Sequence, residues 1–483
     1  MTSSKIELRR LNEYTWEIPK TGGMRVPGII YADDRLMEHI RTEKSPEQVA
    51  NVAHLPGIVG RSMAMPDIHW GYGFPIGGVA ATDPADGGVV SPGGVGYDIN
   101  CGVRLVTSRI SEADARKRID ALVDRLFEDV PAGVGSSGAI GKLGRGDLER
   151  VVVEGSGWAV AKGYGSESDL ERTEEKGRMP GADPGALSDR AIKRGLDQVG
   201  TLGSGNHFLE LGVVDEVYDE RTGERFGLAK GDVTVMVHSG SRGLGYQVCD
   251  DSLEVMQRAV SNYGIELPDR QLACAPVESP EGRRYLAAMA CAANYAWANR
   301  QVMMALAMRA VASVLGSTPE DLGMRLLYDV CHNIAKLESH AVDGRERRLC
   351  VHRKGATRAF PPGHEGVPAD FRDVGQPVLI PGDMGRHSFV CAGTEEAYRE
   401  TFGSTCHGAG RVLSRSKARK SEGRNLKEEL RKMGIAVRAT GKGTLAEEMP
   451  RAYKDVADVV GVVEKAGLAR KVARLRPIGV VKG

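Results

Sequence analysis

Residues 231–239 read GDVTVMVHS, a run rich in valine and threonine that leads directly into the turn GSRGLG at 240–245. A short apolar, β-branched run bounded by turn residues predicts a buried strand. This one ends by delivering His238 where the chain reverses. The same arrangement recurs outward along the chain. PVLIPG (377–382) is a second short strand running into glycine, and further glycine clusters stand at GYGFPIGG (71–78), GGVGYDINCG (93–102), GTLGSGNHF (200–208) and CHGAGR (406–411). Tight turns of a β-rich protein explain such clusters by themselves. They do not explain why nearly every cluster contains or adjoins a metal-capable or titratable residue.

Between these strands lie helical segments. SEADARKRIDALVDRLFEDV (111–130) has helical apolar spacing behind a serine N-cap, and a longer Ala- and Met-rich helix is predicted from Arg284 to Leu315. Asn294, Asn299, Arg300 and Arg309 within that stretch argue for a buried or amphipathic helix rather than a membrane span. Strands and helices alternate irregularly, so the class is α+β rather than a regular βαβ fold. No repeat and no composition break divides the chain, and residues 1–483 read as one large domain. The segment 163–184, rich in Gly, Ser, Glu and Asp, reads as a long surface loop or inserted lid.

Composition narrows the function classes. With 41% hydrophobic and 27% charged residues, neither a disordered nor a fibrous protein is indicated. The N-terminal stretch lacks the apolar run of a signal peptide, and the eight cysteines are scattered singly without CxxC spacing. A reducing, cytoplasmic setting is the expectation. A net charge of +1 argues against coating nucleic acid by bulk charge and leaves local grooves open.

Cys101 follows Asp98 by three residues, so a helical turn there would point both the same way. His207, His238 and His332 occupy similar glycine or strand-end settings. A thiolate, a carboxylate and several imidazoles make the donor set of a transition-metal site, with zinc, iron and manganese all admissible. Each residue alone also reads as a hydrogen-bonded histidine or a small buried hydrophobe. His407 stands among small residues with Arg411 following, an environment suited to a phosphate, and histidine can act as a nucleophile toward phosphorus. Asp67, in MPDIHWGYGFP, is a candidate acceptor for its other ring nitrogen.

These motifs, with VHSGSRG, DVCHNIAK, HRKGATRAFPPG, PVLIPGDMG and the terminal IGVVKG, resemble the RtcB family of RNA-splicing ligases in order and over nearly the whole chain. The resemblance implies a single domain of mixed and antiparallel sheets flanked by helices around a central metal cleft. It implies two Mn²⁺ ions held by Asp98, Cys101, His207, His238 and His332, with Cys101 touching both. His407 would be guanylylated by GTP, with Asp67 orienting its ring and Arg411 stabilising the transferring group. Asn206, Phe208, Glu210, Ser388, Ala409, Tyr453 and Lys482 match positions around the guanine nucleotide, and Asp383 joins them where the family commonly has serine. The implied activity joins an RNA 3′-phosphate or 2′,3′-cyclic phosphate end to a 5′-hydroxyl end, in tRNA splicing or RNA repair. A monomer is expected, and an archease-type protein is a candidate activator.

Arg242, Arg353, Lys354 and Arg358, with the basic run RVLSRSKARK (411–420), offer phosphate contacts; the last also reads as a solvated helix face. Two rival readings are a metal-dependent phosphodiesterase or phosphatase acting on RNA ends and a non-catalytic RNA-binding protein. The first needs neither His407 nor Lys482. The second predicts that some ligand positions have lost their donors.

Overall fold

The computed structural model describes residues 6–420 and 426–483. Most of its strands form two large sheets, beside two small two-stranded ones. In the first, Arg325–Cys331, Gly102–Ser111, Asp232–Ser239, Phe208–Val217, Arg470–Lys482, Ser388–Ala392 and Pro377–Ile380 are neighbours in that order, all antiparallel, and Ala436–Ala439 adds to Arg470–Lys482 in parallel. In the second, the order runs Arg9–Arg10, Thr15–Ile18, Gly28–Tyr31, Ile58–His69, Ile76–Thr82, Arg345–Lys354 and Asn333–Val342, with one parallel pair. The class is α+β with mixed sheets.

The strand read from GDVTVMVHS spans Asp232–Ser239, and its side chains are buried from Val233 onward. Burial on both faces suits a continuous β-branched run without alternation. The segment 111–130 forms two helices instead of one, Glu112–Lys117 and Ile119–Asp129. The Ser111 side chain caps the first by accepting from Asp114 N, and Arg118 leaves the helical region at φ −124°, ψ 16°.

The long helix spans Pro280–Leu315, begins behind the Ser279 cap and ends at Gly316 in the left-handed region. Its buried faces pack against the Asp232–Ser239 strand and the helices around it. Among the described residues, no helix is long and apolar enough to cross a membrane.

Segment 163–184 is not a free lid. It holds the helix Glu167–Glu171 and the turn Glu174–Gly177, and Thr173 and Glu174 are buried. The Glu174 carboxylate accepts from Lys336 Nζ at 2.6 Å and from Cys331 N at 2.8 Å. Glu175 and Lys176 adopt left-handed backbone at φ 55° and 54°. For non-glycine residues that conformation is costly, and here ion pairs of Glu175 with Lys336 and Arg358 hold it in place.

Candidate functional site

Strand register builds the site. Gly102 pairs with Ser239 and Cys331, while His238 pairs with Val103 and Phe208. Three adjacent strand ends therefore carry Cys101, His238 and His207 to one place, and His332 joins them from the end of Arg325–Cys331. His332 also separates that strand from Asn333–Val342 of the second sheet, so it stands at the seam between the sheets.

The turn that presents Cys101 requires Asn100 in the left-handed region at φ 52°. Asn100 is locked there: its amide donates to Ala293 O, and its side-chain and backbone oxygens accept from Arg300. Arg300 is fully buried in the long helix, pairs with buried Asp329 and also donates to Ser239 O, beside His238. One guanidinium thus holds two ligand-bearing turns. Gly240 serves the same crowding, since a Cβ there would sit 2.3 Å from Asp98 Oδ1.

Two overlapping groups, Cys101 with His238 and His332, and Asp98 with Cys101 and His207, each have their donor atoms within 4.8 Å of one another. Cys101 belongs to both. Cys101 Sγ lies 3.3 Å from His238 Nε2 and 3.5 Å from His207 Nε2, and the Nε2 atoms of His238 and His332 are 3.3 Å apart. His207 Nδ1 lies 3.0 Å from Leu202 O, so in the neutral ring Nδ1–H donates there and Nε2 keeps its lone pair. That lone pair faces Asp98 Oδ2 at 2.8 Å. So close a pair needs a proton on that nitrogen or a metal cation in its place.

Burial, then the neighbouring imidazoles, push His238 and His332 well below the usual histidine range, which keeps both rings neutral. Burial and Asp98 push the Cys101 thiol up. Burial also raises Asp98, but the charge and hydrogen bond that a proton on His207 supplies outweigh it and hold that carboxyl at about 2. Neutral imidazoles, an ionised carboxylate and a sulfur shared between two groups fit a pair of divalent ions.

His407 lies beyond His332, their ring centroids 4.8 Å apart. Fully buried Asp67 takes the His407 Nδ1–H at 2.6 Å, and the same oxygen accepts from the amides of His407 and Gly408. Burial raises the Asp67 carboxyl, and the His407 charge and hydrogen bonds more than reverse that, so it lies below its ordinary value. The other ring nitrogen is left for the cavity. That cavity, of about 440 Å³, is lined by Asp98, Cys101, His238, His332 and His407 and extends past Asn206, Phe208, Glu210, Asp383, Ala409, Tyr453 and Lys482.

Ser388 does not line it. Its hydroxyl accepts from Gly382 N at 3.1 Å and shapes the turn behind the wall. Asp383 is held by Arg386 at 2.5 Å, yet burial outweighs that pairing and raises its carboxyl above the ordinary value. Burial and Asp383 raise Glu210 to about 8, while burial lowers Lys482 to about 8. Lys482 Nζ donates to Gly205 O and His207 O, tying the last strand to a ligand loop.

Three of the expected RNA contacts have their cationic groups engaged inside the protein. Arg353 is fully buried, its guanidinium gripped by Glu338 at 2.7 and 2.8 Å. Arg358 is buried among Glu175, Gln376 and Tyr328. Lys354 reaches the cavity wall, but its ammonium donates to the carbonyls of Tyr72, Phe74 and Gly93, and burial lowers it to about 7. Arg242 is half-buried against Thr201 and Ser136, beside the ligand loops.

Glu448, which no motif in the sequence marks, is buried in the cavity wall and meets Arg411, Arg415 and Tyr453. Arg411 donates to Glu448 at 3.1 Å and to the Tyr453 hydroxyl at 2.8 Å.

A family model described as tRNA-splicing ligase RtcB matches residues 48–483. The chain belongs to the RtcB family. Within it, the tRNA-splicing ligase RtcB of Archaeoglobus fulgidus is 56% identical over 479 residues, covering 99% of each chain. That of Thermococcus kodakarensis is 55% identical over 480 residues, also 99% of each. The RNA-splicing ligase RtcB of Mycobacterium tuberculosis is 55% identical over 438 residues, covering 90% of this chain and all of that relative. Membership therefore spans the strand ends, the seam and the cavity together.

Proposed function

We propose that this protein is an RNA ligase that uses GTP and Mn²⁺ to join an RNA 3′-phosphate, or 2′,3′-cyclic phosphate, to a 5′-hydroxyl through His407 carrying GMP. One observation carries the reading: His407, its Nδ1 committed to buried Asp67, packs against a candidate metal ligand in a cavity of nucleotide size. The relatives' names, as splicing ligases, support the substrate class.

Asp67 keeps the Nε2 lone pair turned to the cavity, where it attacks the α-phosphorus of GTP; an N–P bond forms and pyrophosphate leaves. Phe208, Glu210, Asp383, Tyr453 and Lys482 form the wall that receives the nucleotide. The GMP group then passes to an oxygen of the RNA 3′-phosphate and frees His407. The 5′-hydroxyl of the second end attacks the activated phosphorus, and GMP departs as the phosphodiester forms. Asp98, Cys101, His207, His238 and His332 would hold two Mn²⁺ ions, which supply Lewis-acid stabilisation of phosphate charge and activate water to open a cyclic end. Arg411, held against Tyr453 and Glu448, and Arg415, exposed at the cavity wall, face the same space with cations for phosphate oxygens.

The test is incubation with GTP, Mn²⁺ and two RNA strands, one ending in 3′-phosphate or, in a parallel reaction, 2′,3′-cyclic phosphate, and one beginning with 5′-hydroxyl. A joined product that requires GTP is expected. Opening of a cyclic phosphate without joining would instead assign a phosphodiesterase.

A further inference from the structure

Aromatic residues form only 5% of this chain, and such rings contribute most when buried. Several nevertheless gather at the rim of the cavity. Tyr72 and Tyr97 line its wall, and Tyr97 directly precedes Asp98. Tyr97 stacks on Tyr246, their centroids 4.9 Å apart and planes inclined by 26°, while Tyr72 meets Tyr97 edge-on at 5.8 Å. Tyr246, near the start of the helix Arg242–Asn262, keeps 47% of its surface in solvent. Trp70, two residues before Tyr72 on the same turn, keeps 50%. The Arg194 guanidinium lies 5.5 Å from the Tyr246 ring centroid.

We infer that this row of rings is a stacking platform for unpaired bases of the RNA end, with Arg194 beside it for a backbone phosphate. The inference rests on the ligase reading, because it takes RNA as the occupant. Continuity favours RNA over a protein partner: the row starts at the wall of the reaction cavity and runs outward, so a strand whose terminal phosphate reaches His407 crosses it. Every base has a π-face, so stacking on tyrosine and tryptophan grips RNA ends of any sequence, as a repair or splicing enzyme requires. Trp70 and Tyr246 each keep about half of their surface in solvent; Tyr97 takes one face of Tyr246, so a base stacks on Trp70 or against the side of Tyr246 that Arg194 overhangs.

The experiment measures binding of fluorescein-labelled ten-nucleotide RNAs by anisotropy, one probe ending in 3′-phosphate and the other beginning with 5′-hydroxyl, each also made with abasic sugars at its three terminal positions. Wild type, Tyr246→Ala, Tyr246→Phe and Trp70→Ala are compared, with melting curves to confirm folding. Tyr246→Ala should weaken binding of at least one base-bearing probe by about fivefold or more. Tyr246→Phe should keep it, and the abasic probes should bind both proteins alike. The probe that responds identifies the strand on the platform.

Binding by Tyr246→Ala within twofold of wild type for both probes overturns the inference, whatever Trp70→Ala does. So does an equal loss on the abasic probes, or no binding of either probe by wild type. GTP-dependent joining by the wild-type enzyme is scored separately: its failure removes the ligase reading, whereas intact joining with an insensitive Tyr246 removes only the platform.

Discussion

At His407 three donors, the ring Nδ1–H and the amides of residues 407 and 408, meet a single oxygen of Asp67. The carboxylate stays ionised although no part of it reaches solvent. Its acceptor character is what selects the ring tautomer. An asparagine at position 67 keeps the size and can keep an oxygen before the three donors, but it removes the negative charge that stabilises the cationic imidazole formed as Nε2 bonds phosphorus. Asp67→Asn should therefore slow formation of the protein–GMP adduct by about 10²–10⁴-fold, with manganese content unchanged by elemental analysis. At Cys101 the donor lies in both ligand groups, so a change there acts on both together.

Among the elements, segment 163–184, which composition predicts to be a surface loop or lid, is built into the wall behind the site. Glu174 reaches behind the site to the amide of Cys331, next to His332, and its charge is met by Lys336 and Arg358. Burial raises this carboxyl, but the two cations prevail and hold it at about 2, below the ordinary 4.5. A depressed folded value means that its stabilisation is complete above about pH 4.5 and disappears as pH falls toward 2. Glu174→Ala leaves Lys336 buried without its main partner and should cost about 3–5 kcal/mol at neutral pH, read by denaturant unfolding. The deficit relative to wild type should shrink as the acid range is entered.

Nothing local announces this contact, because its partners are separated by 162 positions in the chain. The strand Asp232–Ser239 and the long helix were legible because burial pattern and period are written in adjacent residues. Arg300 could also have been found, since a guanidinium in the middle of an apolar helix demands a buried anion, and Asp329 supplies it. Arg353 and Arg358 misled for the converse reason: a basic motif shows charge, but not the Glu338 and Glu175 that neutralise it from other elements.

For the whole molecule, two sheets meet at His332, and the cavity opens where they meet. One sheet supplies the strand ends that carry Cys101, His207 and His238; the other brings Asp67 to His407. The last strand closes the arrangement through Lys482, which donates to carbonyls of the loop that presents His207. Candidate metal ligands and nucleophile are thus parts of one closure rather than separate modules. The most direct measurement is peptide mass spectrometry of the protein after incubation with GTP and Mn²⁺ without RNA. GMP bound through phosphorus to His407, absent in His407→Ala, is the result this account predicts. A nucleotide attached to a lysine, or labelling that persists in His407→Ala, would contradict it.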